Sequence, residues 1–506
     1  MGKIKIDQIK MGAIISYFAL GVNIVLGLLY TPWMVHQIGQ ANYGLYTLAT
    51  SLIAIFMLDF GLGSAVSRFV SKYRAEGNQD AINSIIGVIY KLYIAIDIVI
   101  LAILIGVYFF LDVIYVKLTP AELEQFKVLY IIVAGFNLIS FPLSPLNGIL
   151  NAYEKFIQLK LCELFNKVST VCFVVAVLYF SNSVTLVVAA NVASGILTLL
   201  IKWIIVKSRV PLRVDFRSGE KSTYKTLFGF TAWTAVTGLM QRFTHSFAPS
   251  VLGMTASAVE IAIYSPAVVL EGYYYTIAVA VNGLFLPRVS RFIAEEKEDE
   301  ILKLMIKVGK YQIVVLGLIF IGFLCVGQDF MTLWMGPEYA KTYYCALIIL
   351  FPTLISSTQQ IADTAVIAKN LVKYQARCMI ITGVAGLAMS YALSMYIGAI
   401  GVCIGTAVTA LTNMVYMNTI YYRKAGINVF EFYKRVYFKA VPCYVIVAIL
   451  GLIVTRFITV LGWTGLILKG AVVVAIYLGA FGFLYLSKQD RKGILDRVKI
   501  IKKKIG

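Results

Sequence analysis

Charged and aromatic side chains near the middle of two long apolar runs are the residues of this sequence best placed to do chemistry. Arg242 and His245 lie one helical turn apart in one run, and Glu271, Tyr273 and Tyr274 lie near the centre of the next. A charge in the middle of a membrane costs a few kcal/mol or more, so it is kept where it faces water, a partner or a ligand. We therefore predict that Arg242 and His245 face an interior cavity and that Glu271 could pair with Arg242. Tyr273 and Tyr274 lie deep enough to stack on a sugar.

Arg242 and Glu271 allow two interpretations. A guanidinium matches phosphate oxygens with two parallel hydrogen bonds, so Arg242 could bind a phosphate while Glu271 holds the guanidinium until the phosphate arrives. Alternatively, the two residues form a fixed ion pair that joins two helices and binds no ligand. The sequence leaves both interpretations open, and a transport assay on Arg242 variants distinguishes them.

A stripe of charged residues follows one helical face in an earlier apolar run. Lys160, Glu163 and Lys167 fall at positions i, i+3 and i+7, which lie on the same side of a helix. Lys160 can extend its ammonium group to the membrane surface, whereas Lys167 lies too deep to do so comfortably. Lys167 is therefore a predicted substrate-binding residue, and Glu163 is a predicted site of cation coupling.

Amide side chains and one further carboxylate complete the candidate set. Asn23 lies in the first apolar run, and Gln359 and Asp363 lie in the segment TLISSTQQIADTAV. Their oxygens could bind sugar hydroxyls or a coupling cation, with H⁺ or Na⁺ as the expected ion at Asp363. Hydrogen bonding between helices is an equally good interpretation of the same residues.

The other charged residues of the apolar runs lie mostly within two turns of one membrane surface, where anchoring at the interface is the expected role. They include Lys91, Asp97, Lys310, Lys373 and Arg377. Together these residues make the inner half of the bundle more basic than the outer half. A basic inner half would attract a pyrophosphate group from the inner leaflet.

The composition indicates a membrane protein. Of its 506 residues, 60% are hydrophobic and only 14% are charged, which soluble globular domains do not show. The net charge of +20 is distributed between apolar runs, and no soluble basic face with interleaved aromatic residues is present. Membrane lipids are therefore expected partners, and nucleic acid is not.

Sequence motifs for bond-making chemistry are absent. The chain contains no GxxxxGK[ST] loop, no HExxH segment and no nucleophile elbow, so ATP hydrolysis and covalent catalysis are not expected. The seven cysteines form no CxxC pair and have no histidine at ligand spacing, which predicts free thiols and no metal. These features indicate a carrier that needs no cofactor, and not an enzyme.

Apolar runs of about twenty residues predict an all-helical, polytopic membrane protein of about fourteen transmembrane helices. The predicted spans are 12–35, 42–65, 84–111, 125–149, 157–180, 184–206, 226–248, 256–286, 304–327, 342–367, 373–396, 399–422, 437–457 and 464–487. If both termini are cytoplasmic, the outer loops hold only Lys117, Lys341 and Arg456 as bases. This asymmetry predicts cytoplasmic N- and C-termini.

Two pairs of similar segments predict an internal repeat. SAVSRFVSKYRAEGNQDAI resembles LFLPRVSRFIAEEKEDEI, which aligns Arg68 with Arg288, and LNGILNAYEKF resembles TAVIAKNLVKY. Since each half has six spans, the halves would be parallel repeats related by a pseudo-two-fold axis. We expect six-helix lobes at 1–207 and 226–424, a cytoplasmic linker at 208–225, and two extra helices with a basic cytoplasmic tail at 425–506.

The stretch NIVLGLLYTPWMVHQIGQANYGLYTLATSLIAIFMLDFGLGSAVSRFVSKYRAEGN resembles the opening of bacterial polysaccharide flippases of the O-antigen (Wzx-type) family, in the multidrug/oligosaccharidyl-lipid/polysaccharide (MOP) exporter superfamily. The segment NAYEKF, the helix count and the two-half plan extend the likeness. We expect Asp59, Arg68 and Arg288 to be structural or gating residues. The shared elements are Asn23, Gly27, Pro32, Gly39, Tyr43, Gly44, the turn Asp59-Phe-Gly61-Leu-Gly63 and Arg68.

The resemblance implies a V-shaped pair of six-helix lobes around a cationic cavity that opens alternately to the two sides of a bacterial cell (inner) membrane. It also implies the substrate, which is an oligosaccharide linked to undecaprenyl pyrophosphate and carried from the cytoplasmic to the outer leaflet. Other polysaccharide assembly proteins are then expected partners.

Three alternatives stay open at this point. Flippases for the lipid-linked peptidoglycan precursor resemble the chain, but they place several arginines in spans one and two, whereas span one here carries none. Cation-coupled multidrug exporters of the same superfamily typically stop at twelve spans. A membrane glycan polymerase or ligase, from a different class, would be expected to expose a large outer loop, and the outer loops here are short.

Overall fold

The computed structural model describes residues 2–56, 62–212, 214–216, 235–236, 238–240, 242, 246–279 and 285–485. All regular elements within these ranges are helices, which confirms the predicted fold class. The chain forms two compact units. Unit 1 comprises Met1–Ser265 and Met379–Val402, and unit 2 comprises Pro266–Cys378 and Cys403–Gly506.

The described part of unit 1 consists of helices, most of them long and apolar. Their bounds are α1 Gly2–Ile38, α2 Gln40–Phe56, α3 Leu62–Ala75, α4 Gln79–Phe109, α5 Leu111–Ile114, α6 Pro120–Ser140, α7 Pro145–Ala152, α8 Phe156–Phe180, α9 Val184–Arg209 and α10 Ala248–Thr255. Helix α11 (Ala258–Val279) begins in unit 1 and ends in unit 2.

The starts of these helices follow from local sequence. Thr119 precedes α6 and accepts a hydrogen bond from the Glu122 amide at 3.3 Å, while the Glu122 carboxylate accepts one from the Thr119 amide at 2.8 Å. This reciprocal pair satisfies two amides that have no partner inside the helix. Asn78 caps α4 in a similar way, since its Oδ1 accepts from the Ala81 amide at 2.9 Å.

Unit 2 is also helical throughout its described part. Its elements are α12 Leu286–Ala294, α13 Glu298–Met335, a 3₁₀ turn Pro337–Tyr339, α14 Ala340–Ser357, α15 Gln360–Ala368, α16 Val372–Arg423, α17 Val429–Val436, α18 Ala440–Phe457, α19 Gly462–Ala480 and a π-helical turn Phe481–Tyr485. The middle of α16 belongs to unit 1.

Helix α16 is broken at one point. Ile397 and Gly398 have non-helical backbone angles, and the φ of Gly398 is +57°. The Glu260 carboxylate then accepts a hydrogen bond from the Ala399 amide at 2.8 Å. A carboxylate at a helix start satisfies a free amide and the positive end of the helix dipole. The break therefore lies where the sequence predicts the end of one span at 396 and the start of the next at 399.

The segments that resemble each other in sequence also share one helix-ending turn. Each of the four helices α3, α7, α12 and α15 ends at an alanine, and the second residue after that alanine has a positive φ. The amide that follows donates to a carbonyl five residues earlier, as in a Schellman motif. The four bonds join Asn78 N to Tyr73 O (3.0 Å), Lys155 N to Leu150 O (2.9 Å), Lys297 N to Phe292 O (2.8 Å) and Leu371 N to Val366 O (2.9 Å).

Helix packing next to these turns is also similar in the two units. Helix α3 packs on α7 in unit 1, and α12 packs on α15 in unit 2. In both units the chain passes from each turn directly into a long helix. These matches support an internal repeat, while the predicted lobe boundaries remain predictions.

Ten helices of the described residues are long and apolar enough to cross a membrane, and large apolar side chains cover their outer faces. Phe180, Tyr396 and Leu461 are 84%, 86% and 89% exposed, which a lipid solvent favours and water does not. The protein is therefore a multi-pass membrane protein. The total of fourteen spans remains a prediction.

The last two long helices pack on α13. The Tyr477 hydroxyl of α19 donates to the Val314 carbonyl at 2.7 Å, and the Tyr444 hydroxyl of α18 donates to the Ile313 carbonyl. Tyr477 and Phe481 stack with ring centroids 4.3 Å apart. Buried tyrosines thus attach α18 and α19 to unit 2.

Candidate functional site

Three lysines lie on the adjacent helices α8 and α9 of unit 1. The Lys202 ammonium donates to Asn147 Oδ1 on α7 at 2.9 Å, and the Lys160 ammonium donates to Glu163 Oε2 at 2.7 Å. Lys202 also interacts electrostatically with Lys160 and Glu163. Lys167 lies on the same stripe of α8 two turns further along, and all three lysines are partly buried. We call Lys160, Lys167 and Lys202 the lysine group.

The lysine group carries more positive charge than its surroundings balance. Within the described ranges, Glu163 is the one carboxylate that interacts with Lys160 or Lys202, and none interacts with Lys167. Among the residues that the structure describes, the Lys167 ammonium has no hydrogen-bond or ion-pair partner. A positive charge held away from bulk water is costly, and an anion that can reach it stabilises it strongly. The lysine group can therefore bind an anion such as a phosphate.

A layer of hydroxyl groups holds α8 against α9 beside Lys167. Ser194 Oγ lies 2.5 Å from Ser169 Oγ and donates to the Asn166 carbonyl at 3.1 Å. The Thr170 hydroxyl donates to Ser194 Oγ at 3.0 Å. Because Asn166 and Thr170 flank Lys167 in the chain, these bonds fix the helical turn that carries the Lys167 side chain.

Small residues bring the supporting helices close together. A Cβ added to Gly195 on α9 would lie 2.5 Å from the ring of Phe136 on α6, so glycine is needed for this contact. The contact fixes α9 two turns before Lys202. The lysine group is thus positioned by packed helices and not by loops.

Unit 2 carries two hydrogen-bonded carboxylates on its helices. Glu271 Oε1 on α11 accepts from the Thr353 hydroxyl at 2.9 Å, and Asp363 Oδ1 on α15 accepts from the Tyr421 hydroxyl at 2.6 Å. Tyr275 interacts electrostatically with both carboxylates, and its side chain is half exposed. We call Glu271, Tyr275 and Asp363 the acid group.

A network of amides and phenols lies next to the acid group in the chain. Gln359 is 2% exposed, and its Nε2 donates to Asn418 Oδ1 at 3.0 Å and to the Tyr433 hydroxyl at 2.7 Å. Asn418 Nδ2 also donates to Tyr433 at 3.1 Å. Gln359 stands where α14 gives way to α15. Its amide nitrogen is therefore held by protein partners, and its predicted contact with a sugar remains a prediction.

The predicted pair of Arg242 and Glu271 remains a prediction. Arg242 lies in unit 1 and its side chain is exposed, whereas Glu271 lies in unit 2 with Thr353 as its hydrogen-bond donor. His245 lies outside the described residues. Asn23 is exposed on α1.

The three consecutive tyrosines of α11 have different environments. Tyr274 is 2% exposed, and its hydroxyl donates to the Leu316 carbonyl at 3.0 Å. Tyr273 is partly buried. Tyr275 is 49% exposed and lies beside the carboxylates. Tyr275 therefore has the most accessible ring, and Tyr274 serves to attach α11 to α13.

Two of the three residues predicted to have a structural or gating role, Arg68 and Arg288, lie on α3 and α12, which end in matching turns. The exposed Arg68 guanidinium lies 6.0 Å from the ring centroid of Phe69, and the exposed Arg288 guanidinium lies 5.4 Å from that of Phe292. Both arginines thus contact an aromatic ring close in sequence. Asp59 lies outside the described residues.

Sequence reasoning misses Lys202 and several hydrogen-bond partners of the two groups. Lys202 and Asn147 lie near span ends, where a charged or polar residue is unremarkable. Thr353 and Tyr421 are ordinary helical residues in sequence, and only the fold brings them to the carboxylates. The spacing of Lys160 and Glu163 predicted only that they share one face of the helix, and the structure adds their ion pair.

Cysteine and histidine are the side chains that most often form metal and redox sites. The seven cysteines are free thiols. Within the described ranges no group of three or more His, Cys, Asp or Glu side chains could hold a metal ion. The polar groups available for a ligand in these ranges include ammonium, guanidinium, carboxylate, amide and hydroxyl groups.

These features define a multi-pass membrane protein with charged groups on membrane helices, as in a transporter. Residues 9–289 match the family of polysaccharide biosynthesis proteins. Because this match covers more than half of the chain, the protein belongs to that family.

Known proteins resemble the chain over most of its length. Over 97% of its length, the chain is 21% identical to the uncharacterized membrane protein EpsK of Bacillus subtilis (strain 168), of which 98% is covered. The lipid II flippase MurJ in an inward closed conformation superposes with a TM-score of 0.71 at 14% identity, over 93% of this chain and 98% of MurJ.

An inward-facing multidrug resistance transporter of the MATE family in the MOP superfamily superposes with a TM-score of 0.65 at 14% identity, over 80% of this chain and 97% of that one. The family match and these likenesses confirm the predicted superfamily. The protein has the fold of a flippase-type transporter.

Proposed function

We propose that the protein carries an oligosaccharide linked to undecaprenyl pyrophosphate from the cytoplasmic to the outer leaflet of a bacterial inner membrane by alternating access. The observation that carries the proposal is the lysine group, in which three ammonium groups have one carboxylate between them among the residues that the structure describes. Membership in a polysaccharide biosynthesis family supports a glycan as cargo. The name of MurJ describes a flippase of another lipid-linked substrate.

The lysine group suits a pyrophosphate. Lys167 and Lys202 lie on facing helices, and charge-assisted hydrogen bonds from ammonium groups to phosphate oxygens are stronger than those between neutral groups. The Asn147 amide beside Lys202 offers a further donor. The donors of these residues would replace the water that the pyrophosphate loses on leaving the membrane surface.

The acid group suits the sugar or a coupling ion. Tyr275 can stack on a sugar ring, and the carboxylates of Glu271 and Asp363 can accept hydrogen bonds from sugar hydroxyls. Asp363 is also the proposed residue for H⁺ or Na⁺ coupling. Arg242 is proposed as a second phosphate ligand, and Arg68 and Arg288 as gating residues.

Export of the glycan tests the lysine group. In cells whose surface polysaccharide depends on this protein, Lys167→Ala and Lys202→Ala should each lower export by about tenfold, since a hydrogen bond to a charged group is worth about 1.5–3 kcal/mol. Lys207→Ala is the matched control. Lys207 lies on the same helix with its ammonium 4.9 Å from the Trp203 ring, and its loss should leave export unchanged.

Normal export by a Lys167→Ala, Lys202→Ala double variant, at normal levels in the membrane, would contradict the proposal. Two further assays separate the alternatives within the superfamily. Rescue of cells depleted of their lipid II flippase would indicate a peptidoglycan precursor as substrate. Drug resistance that is insensitive to both lysine changes would indicate a multidrug exporter.

A further inference from the structure

A buried amide and a carboxyl group in unit 1 lack hydrogen-bond partners near the middle of the membrane. Asn137 on α6 is fully buried, and neither its Oδ1 nor its Nδ2 has a partner among the residues that the structure describes. The same is true of the buried Oδ1 of Asp97 on α4. An unsatisfied buried polar group costs about 1–3 kcal/mol, so two such groups together call for a ligand.

Two contacts between α4 and α6 place Asp97 and Asn137 at the same level. The Tyr130 hydroxyl donates to the Leu104 carbonyl at 2.9 Å, and the rings of Tyr93 and Phe141 lie 5.0 Å apart. The helices are therefore antiparallel. Asp97 lies one turn after Tyr93, and Asn137 lies one turn before Phe141, so both side chains belong to the face that carries these contacts.

Both residues also lie deep in the membrane. Asp97 and Asn137 are at the centres of the predicted spans 84–111 and 125–149. Tyr93, Ile100 and Leu104, on the same stripe of α4 as Asp97, are all buried. Anchoring at the interface, which the sequence suggested for Asp97, therefore does not explain this carboxyl group.

No charged side chain of the described residues influences the Asp97 carboxyl group electrostatically. The titratable groups on the elements packed against α4 are either at helix ends or engaged elsewhere. Asp112 on α5 pairs with Lys127 of α6 at 2.8 Å, and Tyr130 binds the Leu104 carbonyl. The others are Arg68, Lys72, Tyr73 and Arg74 on α3 and Glu122 and Glu124 on α6.

We propose that Asp97 and Asn137 form a binding site for a monovalent cation, H⁺ or Na⁺. A lone carboxylate at mid-membrane is costly, so a positive charge must accompany it. Asp97 supplies the charge, and Asn137 Oδ1 supplies a second oxygen for Na⁺ or an acceptor for the proton of the neutral acid. The site is separate from Asp363, to which the proposed function assigns H⁺ or Na⁺ coupling, and it does not depend on which substrate the protein carries.

Labelling with dicyclohexylcarbodiimide tests the site, because this reagent modifies protonated carboxyl groups inside membranes. The wild-type protein in lipid vesicles should be labelled on Asp97, as located by mass spectrometry of its peptides. Above the midpoint, labelling should fall by about tenfold per pH unit. Asn137→Leu, which removes the amide and keeps an apolar fit, should shift that midpoint. Ser140→Ala, one turn away, should not shift it.

The effect of Na⁺ on the labelling distinguishes a Na⁺ site from an H⁺ site. If the site takes Na⁺, then Na⁺ but not choline should suppress labelling at constant pH and raise the Tm of the wild-type protein, but not that of Asp97→Asn. If the site takes H⁺ alone, Na⁺ and choline should act alike. A midpoint that is the same in wild type and Asn137→Leu, without any effect of Na⁺, would overturn the proposal. Because the purified protein is measured, failure would leave the test of glycan export unaffected.

Discussion

The two units share a helix-ending turn but differ in the charged groups that their helices carry. The turns after α3 and α7 in unit 1 have the same hydrogen bonds as those after α12 and α15 in unit 2. Unit 1 carries the lysine group on α8 and α9, whereas unit 2 carries the acid group on α11 and α15. The helix-ending turns are thus alike in the two units, while the two charged groups lie on helices that do not correspond.

The attachment of matching turns shows the same divergence. In unit 1, Arg74 of α3 donates to the Ala152 carbonyl at 3.1 Å and lies 5.0 Å from the Tyr153 ring. In unit 2, Lys369 of the matching turn donates to the Ala425 carbonyl at 2.8 Å and pairs with Glu298. A cation stabilises each turn, but it comes from the neighbouring helix in one unit and from the turn itself in the other.

The difference suggests that the lysine group binds the lipid phosphate, whereas the acid group acts in transport. Assays of glycan export and of lipid binding can separate these two roles. Under the proposed function, Asp363→Asn should lower glycan export by about tenfold or more, because a charged acceptor is lost. It should leave binding of undecaprenyl phosphate, measured by native mass spectrometry, unchanged. Lys202→Ala should instead weaken that binding.

Asp329→Asn is the control for Asp363→Asn. The Asp329 carboxylate also accepts a hydrogen bond, from Lys469 at 2.6 Å, but it is exposed. Surface ion pairs contribute little, so its change should leave export intact. Equal loss of lipid binding in Asp363→Asn and Lys202→Ala would remove the distinction between the units.

Periodicity and apolar length account for what the sequence could predict of the fold. They predicted an all-helical membrane protein and the break in α16 between 396 and 399, because a span ends where the chain must turn. The similar segments were visible as well. Their common physical feature, an alanine followed two residues later by Gly77, Glu154, Glu296 or Asn370, emerges only from the backbone, since three of those four residues are not glycine.

The candidate site was less accessible to sequence reasoning. A shared face of one helix, as for Lys160 and Glu163, follows from spacing. Contacts between helices depend on packing that the sequence does not reveal, as for Lys202 with Asn147 or Tyr421 with Asp363. The position of Asp97 along its span follows from the sequence, whereas its neighbours on α6 do not.

Packing beneath the turns gives the next test of the comparison. A Cβ added to Gly148 on α7 would lie 2.6 Å from the Gly63 carbonyl oxygen and 2.8 Å from the Val66 Cβ on α3. Gly148→Val should therefore lower stability by about 2–3 kcal/mol through overpacking. Gly135→Val on α6, where no atom lies within 4 Å of the added Cβ, is the control. A fall in the thermal midpoint in both variants would mean that the α3–α7 contact is not specially tight.

The turns themselves give the smallest effect and the most direct test of their equivalence. Glu154 and Glu296 hold positive φ angles of 58° and 55°, which strain an L-residue with a Cβ. Glycine removes this strain but loses more freedom on folding, so Glu154→Gly and Glu296→Gly should each raise stability by about 0.5 kcal/mol. Gly77→Ala, the reverse change, should lower it by about 1 kcal/mol. If the turns are equivalent, the two glutamate variants shift the thermal midpoint alike, whereas opposite shifts would show that only one turn is strained.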